Sequence, residues 1–344
     1  MKVWILIFVC MFSMPLLVAV LHFRMRKGQI LKIRQDYVKN ARYFGRSFSS
    51  LVEKALPEMK NGMIMLSRQE KVLETDGKQE FVQPEIEDLV IARNTIFCPQ
   101  QEDLHFQKEI YSEKDALFVK ENIRLRAVYS KKRIVFGNKI RLLRWADAEY
   151  AVAVYDECDL GERVSSGEQL VIGFENVFHS LYAPVIRLGQ RPEEPDRFMD
   201  GRDPRIFRMP VMNRYEYNRH YIDDDMVTES GTVPYTIISR GDIKVIEDII
   251  LQGDIHSDGA VRIMENASVL GNIFAEKDIL LEKNATVLGN IFTQGNIIFE
   301  EGASAGQPDK IISVVARGTI TFYGGNNVYG YVVSEGGGKI LKSD

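Results

Sequence analysis

The stretch ENASVLGNIF at 265–274 returns as KNATVLGNIF at 283–292, eighteen positions later. The period reaches well beyond this pair. Shifted forward by eighteen, Val269, Gly271, Asn272, Ile273 and Ile279 fall on Val287, Gly289, Asn290, Ile291 and Ile297; shifted back, they fall on Leu251, Gly253, Asp254, Ile255 and Val261. Apolar residues from Ile237 to Phe299 hold odd numbers with few lapses, and alternation marks strands with one buried face. Gly, Asn and Asp break the alternation at regular places, as turns require. An even period preserves in/out parity, so each coil stacks its inward residues on those of the coil below. Ile273 then reads as inward, between Ile255 and Ile291, and Asn272 as outward. Three short strands per coil make a triangular β-solenoid rising by ~4.8 Å per coil. The expected class is all-β.

A fainter copy of the rule lies upstream. EIYSEKDALFVKENIRLR (109–126) aligns without gaps on AVYSKKRIVFGNKIRLLR (127–144), placing Ile110, Ala116 and Phe118 on Val128, Ile134 and Phe136. Further steps reach Ala146, Val152 and Val154, then Val164, Leu170 and Ile172, all even-numbered. Cys158 shares this register and reads as a small buried hydrophobe. Between the two runs, residues 190–225 hold four prolines, seven arginines and no lysine, without alternation. Such a length without periodicity suggests an excursion from a repeat scaffold. The favoured reading is one solenoid interrupted by that excursion, with two stacked solenoids as the variant.

The N-terminus has a different character. From Val3 to Leu21 only Ser13 and Pro15 interrupt an apolar run. At 1.5 Å per residue it matches a hydrocarbon core of about 30 Å, and no small-x-small cleavage site follows. A retained transmembrane helix is expected. Arg24, Arg26, Lys27, Lys32 and Arg34 follow it before the first acid, Asp36. This basic flank places the rest of the chain in the cytoplasm, as a single-pass inner-membrane protein. Residues 30–56 then carry Ile33, Tyr37, Phe44, Phe48, Leu51 and Leu56 at helical spacing, with basic residues outnumbering Asp36 and Glu53. This suggests either a basic amphipathic helix near an anionic leaflet or a stalk helix packed on the first coil. The organisation expected is 1–27 anchor and flank, 28–103 membrane-proximal helical or irregular region, 104–189 degenerate solenoid, 190–232 excursion and 233–340 regular solenoid.

At 235–299 the hydrophobic-x-Gly-[Asn/Asp]-[Ile/Val] turn and the strand after it resemble the bactofilin family of bacterial polymer-forming cytoskeletal proteins. The resemblance covers about the last third of the chain. It implies a short β-helix that polymerises end to end without nucleotide, as a membrane-associated scaffold acting in cell shape. A true membrane span and the degenerate upstream solenoid depart from the family pattern.

Chemistry-bearing patterns are sparse. The five histidines share no coil register, and Asp156, Glu157 and Asp159 read as a charged turn. Residues 223–225 lack the spaced ligands of a calcium loop, and no phosphate-binding loop has its required spacing. The sequon-like NAS and NAT recur because the coil turn recurs. A net charge of −4 gives no reason to expect nucleic acid. No cofactor, metal or enzyme activity is expected. The partners expected are the membrane, other envelope proteins and the chain itself; the alternative is a β-helix enzyme or glycan-binding protein with the solenoid in the periplasm. After Gly325 the pattern resumes as NNVYGYVVSEGGGKI and then ends. Tyr329, Tyr331, Val332 and Val333 are therefore expected at an open strand edge, available for self-association.

Overall fold

Eighteen-residue spacing becomes parallel strand pairing. In the computed structural model, which describes residues 14, 40–75, 77–192 and 218–343, Ile255 lies beside Ile273 and Ile273 beside Ile291. Val261, Ile279 and Ile297 form a second row, and Leu251, Val269 and Val287 a third. These rows are the three faces of a β-solenoid, and all of these side chains are buried. The chain divides into two units, Met1–Asn40 and Ala41–Asp344. In the first, Met14 is helical. The rest of the expected span and the flank Arg24, Arg26, Lys27, Lys32 and Arg34 lie outside the described residues, as does most of the excursion. No helix among the described residues is long and apolar enough to cross a membrane.

The second unit holds two stacks of coils, not one interrupted solenoid. Upstream, strands Gln69–Thr75, Leu89–Ala92, His105–Ser112, Arg124–Ser130, Arg141–Ala148, Arg163–Ser166 and Asn176–Leu188 pair in parallel, seven deep. Downstream, a second stack of seven runs from Arg219–Ile222 to Asn326–Ile340. The last coil of each stack then pairs with the other, antiparallel. Leu181 faces Val332, Tyr182 faces Tyr331 and Phe178 faces Gly338. The two stacks meet tail to tail and share one apolar core, from Phe81 to Ile340.

This arrangement explains the excursion. Pro192 follows the junction coil, whereas Asn218 precedes the first coil of the downstream stack. At ~4.8 Å per coil those points lie roughly 30 Å apart, so a long connection is required. It also explains why parity changes across the excursion, since separate stacks need not share a register.

The upstream solenoid begins earlier than the sequence suggests. Residues 69–99, expected to be helical or irregular, already form coils. Their spacing hides them: Val72 pairs with Leu89, seventeen residues on, and Val90 with Ile110, twenty on. From Ile110 the register follows the sequence reading, through Val128, Ala146 and Val164.

One helix, α1 (Tyr43–Ala55), lies on the upstream stack. It packs along the side of the coils, from the first, where Val52 shares a buried cluster with Ile64 and Val72, to the strand that carries Trp145. Phe48 meets Trp145 and Tyr111 edge-on, at ring distances of 5.6 and 6.4 Å. Val52 is buried in the same cluster with Leu89, Ile91 and Tyr129. Pro57 ends the helix in a 3-10 turn, Leu56–Glu58.

Candidate interaction surfaces

Backbone polar groups at the corners of a solenoid need partners, and short polar side chains provide them here. Asn272 accepts the Asn290 N–H through its side-chain oxygen at 2.9 Å, and its amide donates to Asp254 Oδ1 at 2.9 Å. The same ladder continues downward through Thr236, whose hydroxyl accepts the Asp254 N–H, and upward to Ser313, whose N–H donates to Asn290. Gly271 and Gly289 precede the ladder residues because a Cβ there would collide with the carbonyl of the coil below. A second corner is built by hydroxyls. Ser257 Oγ donates to the Gly241 carbonyl at 2.9 Å and accepts the Gly259 N–H. Ser130 and Ser166 do the same upstream. At the third corner Asn266 and Asn284 take φ of 59° and 58°, a left-handed geometry that Asn tolerates. The sequon-like repeats are thus corner positions.

The junction occupies the edge expected to be open. Ser180, Leu181 and Tyr182 pair with Val333, Val332 and Tyr331, and the Tyr182 and Tyr331 rings lie 4.5 Å apart. Val332 is fully buried. Tyr329, Tyr331, Val332 and Val333 therefore belong to a strand paired on both sides within the chain. The expected free edge is not there. The cover is another coil of the same chain, which pairs Leu181 with Val332. Glycine makes the approach possible. A Cβ at Gly338 would enter the Phe178 ring, and one at Gly189 would strike the backbone of Gly324.

At the opposite end of the downstream stack, Arg219–Ile222, Met226–Val227 and Thr232–Val233 pair with the next coil above. Among the described residues nothing pairs with their other edge.

A second site, unsignalled by the sequence, fixes α1 to the solenoid. The Arg42 guanidinium donates to both carboxylate oxygens of Asp147, at 2.8 and 3.1 Å, and to the Ala148 carbonyl at 3.0 Å. It also donates to Glu149 at 3.1 Å. Ser165 Oγ donates to Asp147 at 2.7 Å and the Tyr129 hydroxyl to Glu149 at 3.0 Å. Arg42 and Asp147 are almost wholly buried. Burial pushes the Asp147 carboxyl up, against the Arg42 bonds that hold it charged. Gly45 lets the first turn of α1 rest on that carboxylate, since a Cβ would strike it, and the helix N-terminus favours the negative charge.

The chemically suggestive residues sit in structural roles. Cys158 is buried, its thiol donates to the Gly137 carbonyl at 3.0 Å, and burial pushes it up to about 12. Asp156 accepts the Phe174 N–H at 2.8 Å and pairs with Arg191 at 2.8 Å. His256 stacks on Phe274 at 4.8 Å. Asp225 accepts the Asp242 N–H at 2.8 Å. No group of three His, Cys, Asp or Glu placed to hold a metal occurs among the described residues.

No protein-family model, curated protein or solved structure matches this chain.

Proposed function

We propose that this is a membrane-anchored, bactofilin-like structural scaffold that self-associates through its β-solenoid and organises envelope or cell-shape machinery from the cytoplasmic side. The observation that carries the reading is the tail-to-tail junction. In it, two whole coils of this chain pair edge to edge around the triangular cross-section. Coils of this geometry are thus able to join end to end through main-chain bonds. The remaining downstream end, at Arg219–Ile222, offers the same kind of edge to a second copy. Self-association is therefore assigned to that end and no longer to Tyr329, Tyr331, Val332 and Val333. The N-terminal apolar run and its basic flank support the anchor and its orientation.

Sedimentation velocity and electron microscopy of residues 40–344 test the reading. Dimers or filaments are expected, lost on Tyr221→Pro, which removes a donor from the end strand. A monomer at all accessible concentrations, or an oligomer indifferent to that proline, would overturn it.

A further inference from the structure

Beside α1 runs a groove of about 560 Å³ with an unusual division of character. Phe48, Leu51, Leu66 and Leu89 give it apolar walls, while Arg68, Lys108 and Arg126 line it with positive charge. Glu70 pairs with both Arg68 and Lys108, and Glu109 pairs with Arg126. Three cations thus share two carboxylates, leaving a positive excess. The helix adds to this. It buries Gly45, Ser49 and Val52, yet Phe44, Phe48 and Leu51 recur at helical spacing on an adjoining stripe. Of these, Phe44 and Leu51 remain 45% and 52% exposed. The Arg163 guanidinium lies over the Phe44 ring at 5.6 Å, placing another cation at the end of the stripe. A single exposed apolar residue needs no explanation, but an apolar stripe running into a cation-rimmed groove does.

We infer that this face docks on the headgroup region of an anionic phospholipid bilayer. Phe44 and Leu51 enter the acyl boundary, and Arg68, Lys108, Arg126 and Arg163 meet lipid phosphates. Charge complementarity favours an anionic lipid over an apolar protein partner. The inference rests on the proposed function only in placing the chain at a membrane. It gives the solenoid a fixed side toward the bilayer, independent of the N-terminal apolar run.

The test is vesicle flotation of residues 40–344, which contain the compact second unit but not the apolar run. Vesicles contain phosphatidylcholine alone or phosphatidylcholine with phosphatidylglycerol. Binding to the anionic vesicles is expected, weakening as salt screens the charges. Leu51→Asp and Arg126→Glu should each reduce the partition constant about tenfold. Leu51→Gln serves as a milder variant, and thermal unfolding of each variant checks that α1 stays docked. Absence of binding by the wild-type fragment, equal binding to neutral vesicles, or wild-type binding by the folded Leu51→Asp protein would overturn the inference. Self-association is measured without lipid, so the two readings fail separately: a monomer that floats overturns the polymer alone, and a polymer that does not float overturns this docking face alone.

Discussion

Asn272 shows how far parity carries a reading and where it stops. The alternation correctly turns Ile273 inward and Asn272 away from the core. It does not reveal that Asn272 is held on two sides, by the Asn290 N–H above and Asp254 below. Hydrogen bonds across coils join residues eighteen apart, and the repeat in the sequence displays their spacing but not their chemistry. Ile273→Asp buries an unpaired carboxylate between Ile255 and Ile291 and should cost several kcal/mol. Asn272→Asp removes the amide donor and sets a carboxylate beside Asp254, so it should cost about 1–2 kcal/mol, more than an ordinary surface change. Comparison of chemical denaturation midpoints checks both. A neutral Asn272→Asp would remove the ladder from the account.

At the scale of elements, the helical spacing of 30–56 correctly signals α1 over its described part, yet not what it packs against. Nothing local links Arg42 to Asp147, 105 positions away. Asp147 occupies an outward, odd-numbered position, where a charge ordinarily meets water. The one trace is Gly45, a poor helix former inside a helical pattern, whose missing side chain makes room for the carboxylate. Asp147→Ala leaves the Arg42 guanidinium buried without its main partner and should destabilise the fold by about 3–5 kcal/mol. The double change Arg42→Met with Asp147→Leu should cost much less, because no charge is then stranded. Thermal unfolding of the two proteins decides the point; equal losses would mean that the ion pair itself, and not the stranded charge, sets the cost.

Across the whole molecule, the regular coils were legible because an eighteen-residue period repeats the same inward positions. The tail-to-tail meeting was less so. Its clues were the parity change across the excursion and Gly338, where a Cβ would enter the Phe178 ring of the facing coil. Both are indirect, since antiparallel pairing of Asn176–Leu188 with Asn326–Ile340 leaves no repeat to find. Gly338→Val drives a side chain into Phe178 and should open the junction first. Hydrogen exchange should then quicken in 176–188 and 326–340, while the coils at 243–299 keep their protection. Uniform loss across all coils would mean that the junction and the stacks unfold as one.

The coil at Asn326–Ile340 is closed by the chain's own upstream stack. Ser180 and Val333 lie directly opposite in the antiparallel pair, at a separation that suits a disulfide once both are cysteine. Residues 40–344 carrying Ser180→Cys and Val333→Cys, oxidised over a range of protein concentrations and run on a non-reducing gel, make the test. A cross-linked monomer of altered mobility is expected at every protein concentration, with normal mobility restored by reductant. A cross-link that forms only between chains, rising with concentration, would show that the C-terminal edge pairs with a second copy and would contradict it.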